Sequence, residues 1–195
     1  SEPMAVHYRI NAGMLPANHW LHDPKQGGGR IIGEGCHFID FINFLVGDIP
    51  ATVRADALPD DERYHQDNVI LTLRYANGSI GTVAYLANGD KAFPKEAVEV
   101  FQNGTAARLD DFRTLELCRN GNRKVIHNRL RQDKGHASAW QTFLRAVRIG
   151  GEAPIPYRHI LGSTQAAFAA MESLRTGGDV PVVDRWTEIP ETLSE

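Results

Sequence analysis

The sequence predicts an α+β fold, a mostly antiparallel open-faced sheet with helices on one side, and three observations predict it. Short β-rich segments fill the middle of the chain and are punctuated by Asn77-Gly78, Asn103-Gly104 and Asn120-Gly121. Asn-Gly suits the type I′ turn, whose two central residues take positive φ, so three hairpins and antiparallel pairing are expected. The apolar residues then change to helical spacing in the C-terminal third, and strands are grouped before helices instead of alternating with them.

The first element is a strand. From Ala5 to Asn11 the residues Val6, Tyr8 and Ile10 alternate with His7, Arg9 and Asn11, the period of a strand with one buried face. Ala12 to Gln26 is too long and polar for a simple connection and reads as a binding loop. A helix is expected from about Arg30 to Val46, with Ile32, Cys36, Ile39, Phe41, Ile42, Leu45 and Val46 forming its apolar surface and Gly47, Asp48 and Pro50 ending it. Strands follow at 51–57, 69–75, 79–86, 97–102, 105–109, 114–118 and 123–127. Val69, Leu71, Leu73 and Tyr75 alternate with Ile70, Thr72 and Arg74, as in a sheet covered on one side. Ala139 to Ile149 and Ile160 to Leu174 then form two closing helices, each ending at a Gly-Gly pair.

A chain of 195 residues can bury a sizeable core and is read as one domain, 1–195. Hydrophobic content of 42%, charged content of 23% and a mean hydropathy of -0.33 describe an ordinary globular protein. A net charge of -3 without a basic stripe argues against nucleic acid as a partner. Cys36 and Cys118 share no paired spacing, which points to a reducing, cytoplasmic setting. SEPMAVHYRI does not read as a signal peptide, and no apolar stretch is long enough to span a bilayer. Starting at Ser1 and entering a strand within a few residues, the sequence is expected to be a piece of a longer protein.

The densest chemistry lies in GGGRIIGEGCHFIDFINFLVG, residues 27–47, where glycines open the helix that carries Glu34 and His37. Three residues apart, the two project from one helix face about one turn apart and can act on the same small molecule. His37 suits a general acid or base, with a structural histidine as the alternative. Glu34 reads as its carboxylate partner or as a first-turn acid favoured by the helix dipole. The glycines loosely resemble a dinucleotide fingerprint, but the polar HDPKQ stands where a hydrophobic strand is needed, so no cofactor-binding residues are assigned. His19, His22 and Asp23 lack further ligands and read as hydrogen-bonding loop residues, not a metal site. Lys91 and Lys95 could bind an acidic substrate group or a partner domain. No nucleophile elbow or Walker motif occurs.

These residues carry a resemblance. The run 27–47 resembles the helix that opens the C-terminal domain of the Gfo/Idh/MocA family of nicotinamide-dependent oxidoreductases, and the order of elements over nearly all 195 residues agrees. RINAGMLPANHWLHDP, YLANGDKAFPKEAVEVF and QDKGHASAW are similar to a branch fused to a zinc-alcohol-dehydrogenase-like half. The resemblance implies an N-terminal Rossmann domain that binds NAD or NADP and supplies a lysine from an E-K-P motif; neither is in this chain, so no cofactor is expected on this chain alone. The family's Asp-x-x-x-His places its acid-base histidine at His37, whereas Gly33 occupies the aspartate position. Glu34, one position along, is rotated by about 100° on a regular helix.

The resemblance further implies a sugar, sugar derivative or cyclic polyol as substrate, oriented by Asn11, His19, Trp20 and Lys91, and a homodimer through the open sheet face. A noncatalytic dimerisation or docking module is the alternative, with Gly33 in its favour. NAD-dependent glycoside cleavage is a third reading.

Overall fold

A computed structural model describes residues 2–23, 25–59, 66–128 and 132–183; the remaining residues of the expected 1–195 domain lie outside them. The elements in chain order are β1 (Ala5–Asn11), a 3-10 turn (Trp20–His22), a π-helical turn (Ile31–Gly35) running into α1 (Cys36–Val46), β2 (Thr52–Ala57), β3 (Asn68–Arg74), β4 (Ile80–Leu86), β5 (Glu96–Gln102), β6 (Thr105–Asp110), β7 (Thr114–Arg119), β8 (Asn122–His127), α2 (His136–Ile149), α3 (Tyr157–Thr176) and β9 (Val180–Pro181). They form the expected α+β fold around one nine-stranded sheet, ordered β8-β7-β6-β5-β1-β4-β3-β2-β9. Among the described strands β1 pairs with β4 in parallel, and the other pairings are antiparallel.

The hairpins follow the turn residues, with one difference in type. Asn103 and Gly104, and Asn120 and Gly121, have positive φ and make the expected type I′ turns. At Asn77-Gly78 only Gly78 does. Gly78 N–H donates to the Tyr75 carbonyl and Tyr75 N–H to the Ser79 carbonyl, while the Asn77 side chain accepts from Ser79 N–H at 2.9 Å. That is a type I turn closed by a left-handed glycine, the longer hairpin solution. β9 was not expected; two residues are too few to leave a periodic signature.

The register sets one row of side chains across the sheet: Ala55, Leu71, Val83, Tyr8, Val98, Leu109, Leu115 and Ile126. Val83 is fully buried and Val98 is 3% exposed, but Ile126 at the far edge is 51% exposed. The gradient arises because α1 and α3 cover the half around β1 to β4, with α3 against β2. α3 approaches closely through small residues, Gly162, Ser163, Ala166, Ala167, Ala169, Ala170 and Ser173, all buried. A Cβ on Gly162 would fall 2.3 Å from Ile49 Cγ2. Polar groups in this interface are paired: Tyr75 Oη donates to Asn43 Oδ1 at 2.7 Å, and Asn43 Nδ2 donates to Ser163 Oγ at 3.0 Å. α2 behaves differently from the closing helix its spacing predicts. None of its residues is buried, and Trp140, Phe143 and Val147 are exposed.

A cleft between the first helix and the sheet

β1 and α1 together build a cleft of about 560 Å³. Alternation along β1 turns Tyr8 and Ile10 towards α1, where Tyr8 meets the edges of Phe38 and Phe41 at centroid distances of 5.2 and 5.3 Å. Glu34 and His37 line one wall, and Lys95, Glu96, Phe112, Lys134 and His136 line others. Phe112 arrives there by a costly backbone. It shares the β6–β7 turn with Asp111, both at positive φ (53° and 47°), a region that a bulky side chain adopts only when its surroundings impose it. The ring packs 6.1 Å from Phe41 and lies 5.2 Å from Lys134 Nζ.

Each of the two carboxylates is held by a phenol and a cation. Glu34 Oε2 lies 3.1 Å from Arg30 Nη2 and accepts a hydrogen bond from the Tyr85 hydroxyl. Arg30, almost fully buried, also donates from Nη1 to the Gly13 carbonyl at 2.7 Å. Burial pushes the Glu34 carboxyl up, but the Tyr85 hydrogen bond, Arg30 and the more distant Lys95 outweigh it and leave it below the ordinary carboxylate range. Opposite, buried Glu96 accepts from the Tyr8 hydroxyl and from Lys134 Nζ at 2.5 Å. Burial, then the bonded carboxylates, push both phenols up, so they remain proton donors.

His37 is exposed at the cleft. Among the described residues no hydrogen bond or ion pair engages its ring, so it can donate or accept a proton. No hydrogen bond links it to Glu34 there. The regular helix expected from Arg30 starts instead as a π-helical turn over Ile31–Gly35. Such turns recur at functional sites. Glu34 sits within it, its carboxylate committed to Arg30 and Tyr85.

The glycine run seats Leu21. A Cβ on Gly27 would fall 2.5 Å from Leu21 Cα, and one on Gly33 would come 3.2 Å from Leu21 Cδ1. The amides of Gly27 and Gly28 donate to the Asp23 carbonyl and that of Gly29 to the Leu21 carbonyl. These donors are engaged within the loop and do not fit the pyrophosphate of a dinucleotide, which needs free amides.

The other expected substrate contacts are divided. Asn11 and Lys91 line a neighbouring cleft of about 560 Å³ that shares Ala12 and Lys95 with the first. Asn11 Nδ2 donates to the carbonyls of Asp90 at 2.7 Å and Phe93 at 3.2 Å, bracing the loop that carries Lys91. His19 and Trp20 line neither cleft. His19 Nδ1 accepts from Leu21 N–H at 3.2 Å, and Trp20 lies exposed beside it, 5.7 Å between ring centroids. Asp23 accepts from Lys25 N–H and Gln26 Nε2. Among the described residues no group of three or more His, Cys, Asp or Glu could hold a metal ion.

Sequence reasoning missed Tyr8, Tyr85, Arg30, Glu96, Lys134 and His136. The tyrosines did leave a signal, since a phenol on the inward face of a strand requires a polar partner. A larger depression, about 740 Å³, lies among hairpin turns at the opposite end of β1, far from this constellation.

Residues 2–182 match the family described as "Oxidoreductase family, C-terminal alpha/beta domain". No curated protein matches the sequence. Similar solved structures include levoglucosan dehydrogenase in complex with NADH and levoglucosan (18% identity, TM-score 0.73, 94% of this chain and 59% of that one). Aldose-aldose oxidoreductase from Caulobacter crescentus, complexed with glycerol, is similar to the same degree (18%, 0.73, 92% and 56%). An oxidoreductase from Agrobacterium radiobacter in complex with NAD+, L-tartaric acid and magnesium is another (19%, 0.69, 93% and 57%). The chain thus spans between 56% and 59% of the length of these proteins.

Proposed function

Because the chain belongs to the Gfo/Idh/MocA oxidoreductase family, as its C-terminal domain, we propose that it is the substrate-binding and acid-base half of an NAD(P)-dependent oxidoreductase. Its substrate is a sugar, sugar derivative or cyclic polyol, and the domain is inactive alone. The observation that carries this reading is His37, unengaged at the mouth of a cleft whose two carboxylates are already neutralised. A substrate hydroxyl beside His37 exchanges its proton with the imidazole. The Glu34 carboxylate, held ionised by Arg30 and Tyr85, fixes the wall against which the substrate lies. A nicotinamide nucleotide, when bound, supplies or accepts the hydride; its phosphates are assigned to a domain outside this chain.

Structures that contain NADH with levoglucosan, or NAD+ with a hydroxy acid, support the cofactor and substrate class by analogy of fold. In the full-length protein His37→Ala is expected to lower kcat by about 100-fold or more, the usual scale for a general acid-base group. Unchanged turnover would instead favour a noncatalytic dimerisation or docking module, the reading that Gly33 in the aspartate position supports.

Cys36 and Cys118 are both free thiols, in keeping with a cytoplasmic setting, and no helix among the described residues is long and apolar enough to cross a membrane. A homodimer through the open sheet face and fusion to a zinc-alcohol-dehydrogenase-like half follow from the resemblance, and the mass and sequence of the native polypeptide test the second.

A further inference from the structure

One lysine at the cleft has no anion within hydrogen-bond or ion-pair distance among the described residues. Arg30 answers Glu34 and Lys134 answers Glu96, while Lys95, the residue before Glu96, has an ammonium with no hydrogen bond or ion pair among the described residues. Its backbone is nevertheless fixed, since its carbonyl accepts from Asn11 N–H at 2.7 Å and Arg9 Nη1 at 3.2 Å. Lys95 lines both clefts, at their junction, and lies near enough to Glu34 for its charge to act there. His37 and His136 border the same cavity. The second cleft also carries Asp110 and Asp111 beside Lys91 and Arg113, but among the described residues neither carboxylate is paired with Lys95.

Lys95 is exposed at the cleft, and a neutral sugar seated against it would displace part of the water around its ammonium without supplying a counter-charge, which is unfavourable. A carboxylate on the substrate removes that cost and gains a charge-assisted hydrogen bond. Resting on the reading of this cleft as the substrate site, we infer that the substrate is an acidic sugar or related hydroxy acid whose carboxylate pairs with Lys95 while a hydroxyl faces His37. Lys95 is then a specificity-determining residue, and the two tyrosine-carboxylate-cation sets keep Glu34 and Glu96 from repelling the incoming anion.

The test is titration of the protein with D-glucuronate, D-glucose and ADP, each followed through the ring resonances of His37 and His136. Glucuronate is expected to bind about 10-fold more tightly than glucose, the scale of one charge-assisted contact. The advantage should vanish in Lys95→Met, survive in Lys95→Arg and shrink with added salt. Equal binding of the two sugars at the histidines would overturn the acidic-substrate inference and leave the cleft as a sugar site. No shift of His37 with either sugar would overturn both readings. ADP binding more tightly than glucuronate, with the same dependence on Lys95, would assign the ammonium to a cofactor phosphate and overturn the inference.

Discussion

Glu34 is held between Arg30 and Tyr85, and the balance of burial against those contacts leaves its carboxyl easier to ionise than in an unfolded chain. A depressed carboxyl contributes stability above its unfolded pKa and loses it as pH falls through the folded value. The protein is therefore expected to lose stability on acidification below about pH 4, within the carboxylate range. Glu34→Gln should flatten part of that limb, measured by circular dichroism of chemically denatured samples across the pH range. Asp48 contributes in the same direction: its burial is outweighed by Arg158 at 2.8 Å and by the Ile49 amide, so a residual slope is expected in the variant. Only one grip on Glu34 could be read from sequence. Arg30 stands four positions before it, a legible helical pair, but Tyr85 comes from a strand 51 residues away. Asn11 shows the same limit. The carbonyls its side chain braces lie 79 and 82 residues on.

The hairpins were legible because turn chemistry is local. Asn103-Gly104 and Asn120-Gly121 announce their positive φ values in two letters. The β6–β7 turn does not, since Asp111 and Phe112 occupy the same backbone region without glycine, and the penalty is borne by tertiary contacts that sequence does not display. The π-helical turn was equally hidden, because widening one turn leaves the apolar spacing of α1 intact. The close docking of α3 carries a clear test. Gly162→Ala places a methyl 2.3 Å from Ile49 Cγ2, and overpacking of this kind costs about 1–3 kcal/mol. Chemical denaturation should show that loss. Ala166→Gly, which removes a buried methyl instead of adding one, should destabilise through a small cavity and lost helix propensity.

Across the whole molecule the two faces of the sheet were predicted by alternation in β1 and β3, and both alternate as expected. On the face away from α1 and α3, Ile70 and Phe101 are each 53% exposed. If that face joins two copies, light scattering should report about twice the 21.6 kDa chain mass, and Phe101→Asp should return the protein to monomers by placing a charge inside an apolar contact. A monomer at all concentrations would remove the dimer from the proposal. What sequence could not show was where cover by helices stops. The apolar pattern of α2 resembles that of a packed helix, yet its residues are all left outside the core.

The segment just before α2 is attached to the sheet, with Gln132 Nε2 donating to the Asp111 carbonyl at 2.8 Å. Lys134 joins Glu96 just before Gly135, which takes a left-handed conformation, and His136 begins the helix at the rim of the cleft. The helix is thus a lever with its short arm in the cavity and its long apolar arm in solvent. Were binding at Trp140, Phe143 and Val147 to shift His136, linkage would make a ligand at His136 change that distant affinity by the same free energy.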